Sequence, residues 1–380
     1  VTDDVYISFS DIESFLRCRQ LWDFKSANRQ SIRHKTSPKL YLDVGTAIHK
    51  ALEANFNGYN PVYAVNAYGK EVYDEKVALY TEHYGMKPWP QETKEIEEAF
   101  DLAHDLVVQY FDHYGLSNPL GDAGLTSIGC EIPFKIDITE YIGWNIARPG
   151  QKVYFCGTLD NIAVDEHENL WIVENKTYTS KPSPEDVQWH FQSQGYAVAV
   201  EWLTGMPVTG VLYNGIAKKP IQEPKVLKNG LLSTDKRQST TLERYCQAIA
   251  NNGEDPEDAR FEAILSHLRD IDKQGDTRFF YREKAFFTRE QLESWKEGFQ
   301  NVVVEMLDNP RVYRTIPYKG CSDCWFSDLC HTKHSGGDVE YLLEKRYTTG
   351  TYGTVEEVRG VEPAQITSVE ELREYLSNVG

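Results

Sequence analysis

The strongest constraint on the fold lies in mid-chain, where four apolar residues, Leu170-Trp171-Ile172-Val173, lead directly into Glu174-Asn175-Lys176. A continuous apolar run of this kind reads as a strand covered on both faces. Charge at the end of such a strand is costly unless something there uses it. Residues 152–165 also read as a strand, and Asp165-Glu166-His167-Glu168-Asn169 supplies a polar turn between the two. The resulting hairpin lays Gly157-Thr158-Leu159-Asp160 against the segment that carries Glu174. Side chains alternate along a strand, so Glu174 and Lys176 share a face, and the antiparallel partner sets Asp160 beside them. Neighbouring carboxylates repel unless a proton or cation neutralises them. A divalent metal would do so while lowering the pKa of bound water, which Lys176 is placed to orient or deprotonate. The plainer alternative is a surface hairpin with a routine ion pair. The apolar approach to Glu174 argues against it. Glu131, in Cys130-Glu131-Ile132-Pro133 on the neighbouring strand, reads either as an accessory acid or as a solvent-facing edge residue.

The remaining pattern supplies the surroundings. Ser10 and Glu13 form a capping-box pair, and Ile12, Phe15, Leu16 and Trp22 predict a helix over 11–27 that carries Cys18. A second helix opens at Gly45 and carries His49, and two more are expected at about 68–84 and 91–114. Strand 126–136 precedes the hairpin; a helix from Pro184 to Leu203 and a strand at 207–217 follow it as a crossover. Helices at 240–272 and 288–308 flank a short aromatic strand around Phe279 to Tyr281, and a last helix is expected at 368–376. The expected fold class is α/β, a mixed central sheet flanked by helices. The parts are a helical region 1–125, the sheet and its motif helix at 126–217, a helical region 218–319, a cysteine cluster 320–335 and an acidic tail 336–380. A Gly-rich phosphate loop ending in Gly-Lys-Ser/Thr is absent, which argues against an ATP-driven motor in this chain.

Forty basic residues stand against 58 acidic ones, and the net charge of -18 repels a polyanion unless positive charge is gathered locally. It is gathered in two places. Residues 17–39, which include Arg29, Arg33 and Lys35, hold seven basic side chains and one acidic, a balance of +6. Residues 217–237 hold six and two, a balance of +4. Each is either a phosphate-binding strip or an ordinary solvated surface. No apolar run reaches the roughly 18 residues of a membrane span, and the first residues lack the basic and apolar regions of a secretion signal. The expected location is intracellular, in the cytoplasm.

Seven cysteines in such a chain argue against a disulfide framework. Cys321-x2-Cys324-x5-Cys330 offers three thiolates around one soft metal centre, but no fourth thiolate lies nearby. Cys130, Cys156 and Cys246 sit in apolar contexts and read as inert core residues, which leaves Cys18 as the outstanding candidate. A structural zinc site using His331 or His334 in place of Cys18 fits the spacing as well.

Taken in order, Gly45-x3-His49, Gly157-x2-Asp160, Glu174-x-Lys176 and Gln192-x3-Tyr196 resemble the RecB-type branch of the PD-(D/E)xK nucleases. The resemblance implies a restriction-endonuclease-like core and a Mg2+ or Mn2+ site on His49, Asp160, Glu174 and the backbone carbonyl of Asn175, with Lys176 serving the water. It implies DNA contact and site support for Gln192 and Tyr196. The opening Ser8-x-Ser10-x-Ile12-x2-Phe15-x2-Cys18-x3-Trp22 and the late cysteines are similar to members with an iron-sulfur staple, including the AddB subunit of bacterial recombination nucleases and the CRISPR adaptation nucleases. That implies a [4Fe-4S] cluster on Cys18, Cys321, Cys324 and Cys330. The function so implied is a metal-dependent DNA exonuclease of recombination, repair or phage DNA processing, acting on DNA ends or single strands, with a helicase or recombination protein as a possible partner. The rival from another class is a non-catalytic scaffold that binds DNA ends; it has no physical need to keep Asp160, Glu174 and Lys176 together. A third reading is a zinc-stapled acidic protein that binds a protein partner through its tail.

Overall fold

The computed structural model describes all residues except 1–3, 36–39, 144–149, 274–277, 309, 316–320, 322–323, 351–367 and 380. Its strands are β1 (Val5–Ile7), β2 (Ile32–His34), β3 (Thr126–Asp137), β4 (Val153–Val164), β5 (Leu170–Tyr178), β6 (Val208–Ala217), β7 (Phe280–Phe286) and β8 (Tyr347–Thr349). Six of them form a mixed sheet in the order β1-β4-β5-β6-β7, with β3 alongside β4, and β2 pairs β8 separately. The expected α/β class and mixed central sheet are what the chain adopts.

One irregularity organises this sheet. On one side β4 runs antiparallel to β3 from Tyr154 to Val164. On the other side its start pairs in parallel with β1 (Val153–Phe155) and its end pairs with β5 only from Asn161 to Val164. The two hairpin strands therefore part at Asp160. β5 continues beside parallel β6 as far as Tyr178. The N-terminus packs beside the start of β4: Phe9 lies edge-on to Phe155 at 5.0 Å and to Tyr196 of the segment that follows β5 at 4.8 Å between ring centres.

Helices cover both faces. The 11–27 helix is in fact two, α1 (Phe9–Arg17) and α2 (Arg19–Lys25), separated by Cys18 in an extended conformation (φ -165°, ψ 120°). The sequence hides this break because the apolar spacing resumes in phase, and Phe15 and Trp22 still meet at 5.0 Å. Helices α3 (Leu40–Phe56), α4 (Pro61–Tyr84) and α5 (Pro90–Tyr114) share a core that includes Ile48, Phe100, Leu106 and, from the sheet side, Phe279 and Phe280. A single turn, α6 (Thr139–Ile142), follows β3. The crossover helix is divided into α7 (Pro184–Gln188) and α8 (Phe191–Thr204). Where one helix is expected over 240–272, Gly253 with φ +68° and Pro256 interrupt it, giving α9 (Leu242–Asn251) and α10 (Glu262–Lys273). Next come α11 (Arg289–Leu307), α12 (Ser327–Ser335), α13 (Val339–Arg346) and α14 (Val369–Val379). The tail is no simple appendage: β8 pairs β2, and α14 buries Leu372 in the main core. None of the described helices is long and apolar enough to cross a membrane.

Gly195 marks the tightest point of this packing. A Cβ there would collide with the rings of Phe9 and Trp295, so α8 can pack against them only without a side chain at that position. Gly195→Ala is expected to lower stability by about 1–3 kcal/mol through overpacking. Gly298→Ala, exposed on α11 with nothing near its Cβ position, is expected to be neutral or stabilising by up to about 1 kcal/mol. Urea denaturation of both variants checks the pair.

Candidate active site

The parting of β4 and β5 frees a backbone donor that the ladder would otherwise use. Asn175 N donates instead to Asp160 Oδ2 at 2.9 Å, which fixes the carboxylate at the mouth of the gap. Asp160 and Glu174 are both buried, at 8% and 0% exposure. Burial raises the pKa of each, against the pull of His49 and Lys176 on Asp160 and of Lys176 on Glu174. Glu174 Oε1 is compensated by the Lys176 ammonium at 2.5 Å, and Oε2 accepts no hydrogen bond. Glu174 and Lys176 thus share a face, as strand alternation requires.

From the other side of the gap come His49 and Glu131. The flanking pairs Cys130 with Asn161 and Ile132 with Leu159 put Glu131 opposite Asp160, and Glu131 sits at φ +50°, a left-handed conformation rare for a residue with a side chain. Helix α3 brings His49 Nδ1 to 3.4 Å from Glu131 Oε1 and 3.9 Å from Asp160 Oδ1. Burial disfavours the charged imidazole, but Asp160 and Glu131 outweigh it and raise the His49 pKa to about 9. One ligand atom from each of His49, Glu131 and Asp160 lies within 4.8 Å of the others. Of the two readings open for Glu131, the structure selects the inward one.

These donors suit a hard divalent cation: an imidazole and two carboxylates cluster beside the buried Glu174, whose Oε2 accepts no hydrogen bond. Lys176 is held by more than Glu174. Its Nζ donates to Gln192 Oε1 at 2.9 Å, and Gln192 Nε2 donates to Tyr196 Oη at 2.7 Å. Of the three glutamines near this helix, Gln192 alone makes that contact; Gln188 donates to Phe286 O and Gln194 to Gln188 O. Tyr196 is 4% exposed, so its contact in the structure is with Gln192 and the core.

Behind the site, Asn214 Nδ2 donates to Asn175 Oδ1 at 2.8 Å and to Tyr110 Oη at 3.0 Å, and Arg282 Nε donates to Asn214 Oδ1 at 3.0 Å. Sequence reasoning passed over this support, although an asparagine inside the otherwise apolar 207–217 strand was a signal for it.

The four candidate cysteines also meet. Cys18, at the break between α1 and α2, lines one pocket with Cys321, Cys324 and Cys330 together with Arg17, Phe24 and His331, and all four are free thiols. Burial opposes ionisation of Cys18, but hydrogen bonds from the backbone of Leu21, Thr315 and Gln20 lower its pKa overall. Cys156 is buried as expected, Cys130 is half-buried, and Cys246 departs from expectation by being exposed. Helix α9 buries Tyr245 and Ile249, and residue 246 lies one position off that face. Of the basic stretch, Arg29 pairs with Asp23 at 2.8 Å and Lys35 donates to Glu344 O at 2.7 Å, while Arg33 lies on β2, opposite Thr348 of β8. The partners of Arg29 and Lys35 lie outside the acidic cluster.

A family model of the PD-(D/E)XK nuclease superfamily matches residues 6–331. The chain belongs to that superfamily, whose members are generally metal-dependent hydrolases of phosphodiester bonds. A comparison with curated proteins finds no match.

The turn between β4 and β5 sets the register of the site. Burial opposes ionisation of Asp165, but the carboxylate accepts from the Asn169 side chain, from Asn169 N and His167 N and from Trp171 Nε1, and these bonds together hold its pKa at about 2. A carboxylate depressed in the folded state contributes stability above its unfolded pKa of about 4 and loses it as pH falls through the folded value. Asp165→Ala should therefore lower the melting temperature by about 2 °C at pH 7. The difference from the parent should shrink between pH 4 and pH 2, which a pH series of thermal melts reads directly.

Proposed function

We propose that the chain is a metal-dependent DNA exonuclease acting on ends or single strands in recombination, repair or phage DNA processing, and that the gap between β4 and β5 is where the phosphodiester is cut. The observation that carries this reading is the convergence of Asp160, Glu174 and Lys176, from two parting strands, with His49 and Glu131. In this reading His49, Asp160, Glu174 and the Asn175 carbonyl hold Mg2+ or Mn2+, with Glu131 as a further ligand. The cation would supply charge neutralisation at the scissile phosphate and a more acidic bound water. Glu174 keeps Lys176 cationic and Gln192 aims its ammonium, so Lys176 orients the attacking water and steadies the charge that develops on the phosphate. Tyr196 keeps Gln192 in that orientation. Asp23 is already counted in the +6 balance of residues 17–39, and a lysine bonded to a carbonyl keeps its charge. Arg29, Arg33 and Lys35 therefore still offer a positive field to guide the strand. A helicase or recombination protein is the partner class that would present the ends.

Asp160→Ala, Glu174→Ala and Lys176→Ala are each expected to reduce hydrolysis of end-labelled DNA in Mg2+ or Mn2+ by at least about 100-fold, with folding retained. Closed circular DNA should resist the parent protein, and Ca2+ should support binding without cleavage. Parent-like cleavage by Asp160→Ala would remove the hairpin from the chemistry.

The cysteine pocket is proposed to hold a [4Fe-4S] cluster, the thiolate-only donor set that four converging cysteines provide. Because Cys18 already lines the pocket, a zinc alternative would not need His331 or His334 as its fourth ligand. A centre shared by Cys18 and Cys321 would close most of the chain into one loop and restrain the unfolded state. Cys18→Ser should lose metal and thermal stability as severely as Cys324→Ser, while Cys130→Ser keeps its metal. Iron, sulfide and zinc content with the visible spectrum of anaerobically purified protein decides it: stoichiometric zinc without iron contradicts the cluster.

A further inference from the structure

A row of polar side chains crosses the sheet on the face away from Glu174 and Lys176. Asn175 of β5 is in register with Asn214 of β6, and Asn214 is in register with Arg282 of β7. Side chains alternate along a strand, so Asn175 points away from its two charged neighbours. All three are buried: Asn175 and Asn214 are 6% and 1% exposed, and the Arg282 side chain 7%. Arg282 is itself fixed by an ion pair with Asp122, and its Nη2 donates to Tyr110 Oη and to Pro119 O, each at 2.8 Å.

The guanidinium gives the row its direction. Arginine has donors and no acceptor, so the atom of Asn214 that meets Arg282 Nε, at 3.0 Å, is the amide oxygen. The Asn214 NH2 group then faces Asn175, and only the Asn175 oxygen can receive it, at 2.8 Å. Turning either amide over would set donor against donor. A buried cation at the head of such a chain also polarises the bonds that follow it.

The row ends where the hairpin has parted. Pairing of β5 with β4 reaches only to Val173, and the Asn175 N–H goes to Asp160 Oδ2 at 2.9 Å. The N–H and C=O of a strand residue leave on the same side, so whatever fixes this peptide aims both groups. We propose that Asn214 is a positioning residue of the candidate active site. Held by Arg282, it fixes the Asn175 side chain and, through it, the peptide that orients the Asp160 carboxylate. Hydrogen bonds one shell out from a metal commonly change its affinity by roughly 10- to 100-fold. The effect expected on Mn2+ rests on the nuclease reading; the effect on the Asn175 peptide does not.

A row that only stabilised the core would make every bond in it equivalent, and Tyr110 separates the two cases. Tyr110→Phe removes the hydrogen bonds that Tyr110 makes with Asn214 and Arg282 but leaves the line from Arg282 through Asn214 to Asn175 in place. Asn214→Leu, similar in size, breaks that line. If Asn214→Leu does not fold, Asn175→Leu breaks it from the other end and carries the same comparison. Amide hydrogen exchange of the metal-free full chain, read by NMR, compares Asn175 with Ile172, where β5 is still paired with β4, so that a loss of global stability cancels. Calorimetric titration with Mn2+ in the absence of DNA supplies the second readout. In Asn214→Leu the ratio of Asn175 to Ile172 exchange should rise about tenfold and Mn2+ should bind about tenfold more weakly, while Tyr110→Phe lowers the melting temperature and leaves both unchanged. An Asn214→Leu protein whose exchange ratio matches that of Tyr110→Phe, or that binds Mn2+ as tightly as the parent, overturns the proposal. If the parent itself binds no Mn2+, the nuclease reading loses its metal and the exchange ratio alone decides this one.

Discussion

The structure depends on a ladder that stops. β4 and β5 pair from Asn161 to Val164, and at Asp160 they separate. The separation releases the Asn175 N–H, which turns to the Asp160 carboxylate, and opens the space into which Glu131 and His49 project. An unbroken hairpin would satisfy its backbone internally, with no donor left for Asp160 and no gap for another element to enter. Burying acids at such a place is unfavourable alone. It is tolerated because Lys176 answers Glu174, the Asn175 amide answers Asp160, and the remaining carboxylate oxygens face a space suited to a cation.

The rest of the fold keeps the strands apart. β1 takes over pairing with the start of β4, and Phe9 packs edge-on against Phe155 and Tyr196. Gly195 lets α8 close over that ring, and α8 in turn carries Gln192 to Lys176. Helix α3, fixed to α5 by Ile48 and Ala51, delivers His49. The cysteine pocket brings the break after α1 beside Cys321, Cys324 and, on α12, Cys330.

Much of this was legible in the sequence because it is local. The hairpin, its polar turn and the shared face of Glu174 and Lys176 follow from alternation and turn composition over residues 152–177 alone. Glu174 and Lys176 announced themselves by following an apolar run, and Asp160 through its place on the partner strand. What escaped depends on tertiary geometry. The break at Cys18 leaves the apolar spacing in phase, so periodicity cannot see it. The inward turn of Glu131 rests on one left-handed residue in a strand. The place of β1 in the sheet, and of α14 against the main core, is set by long-range packing that three- and eleven-residue segments do not encode. Nor does sequence show where Arg29 and Lys35 rest: Arg29 pairs with Asp23, and Lys35 donates to the Glu344 carbonyl.

The central claim is that the acidic cluster in the gap holds a divalent cation. Anomalous diffraction from crystals soaked in Mn2+ tests it most directly. The account predicts a manganese peak within coordination distance of His49 and Asp160, with a Glu174 or Glu131 oxygen completing the protein ligands, and loss of that peak in Asp160→Ala crystals. A cluster without manganese under conditions where the protein cleaves DNA, or a peak elsewhere that persists in Asp160→Ala, would contradict it.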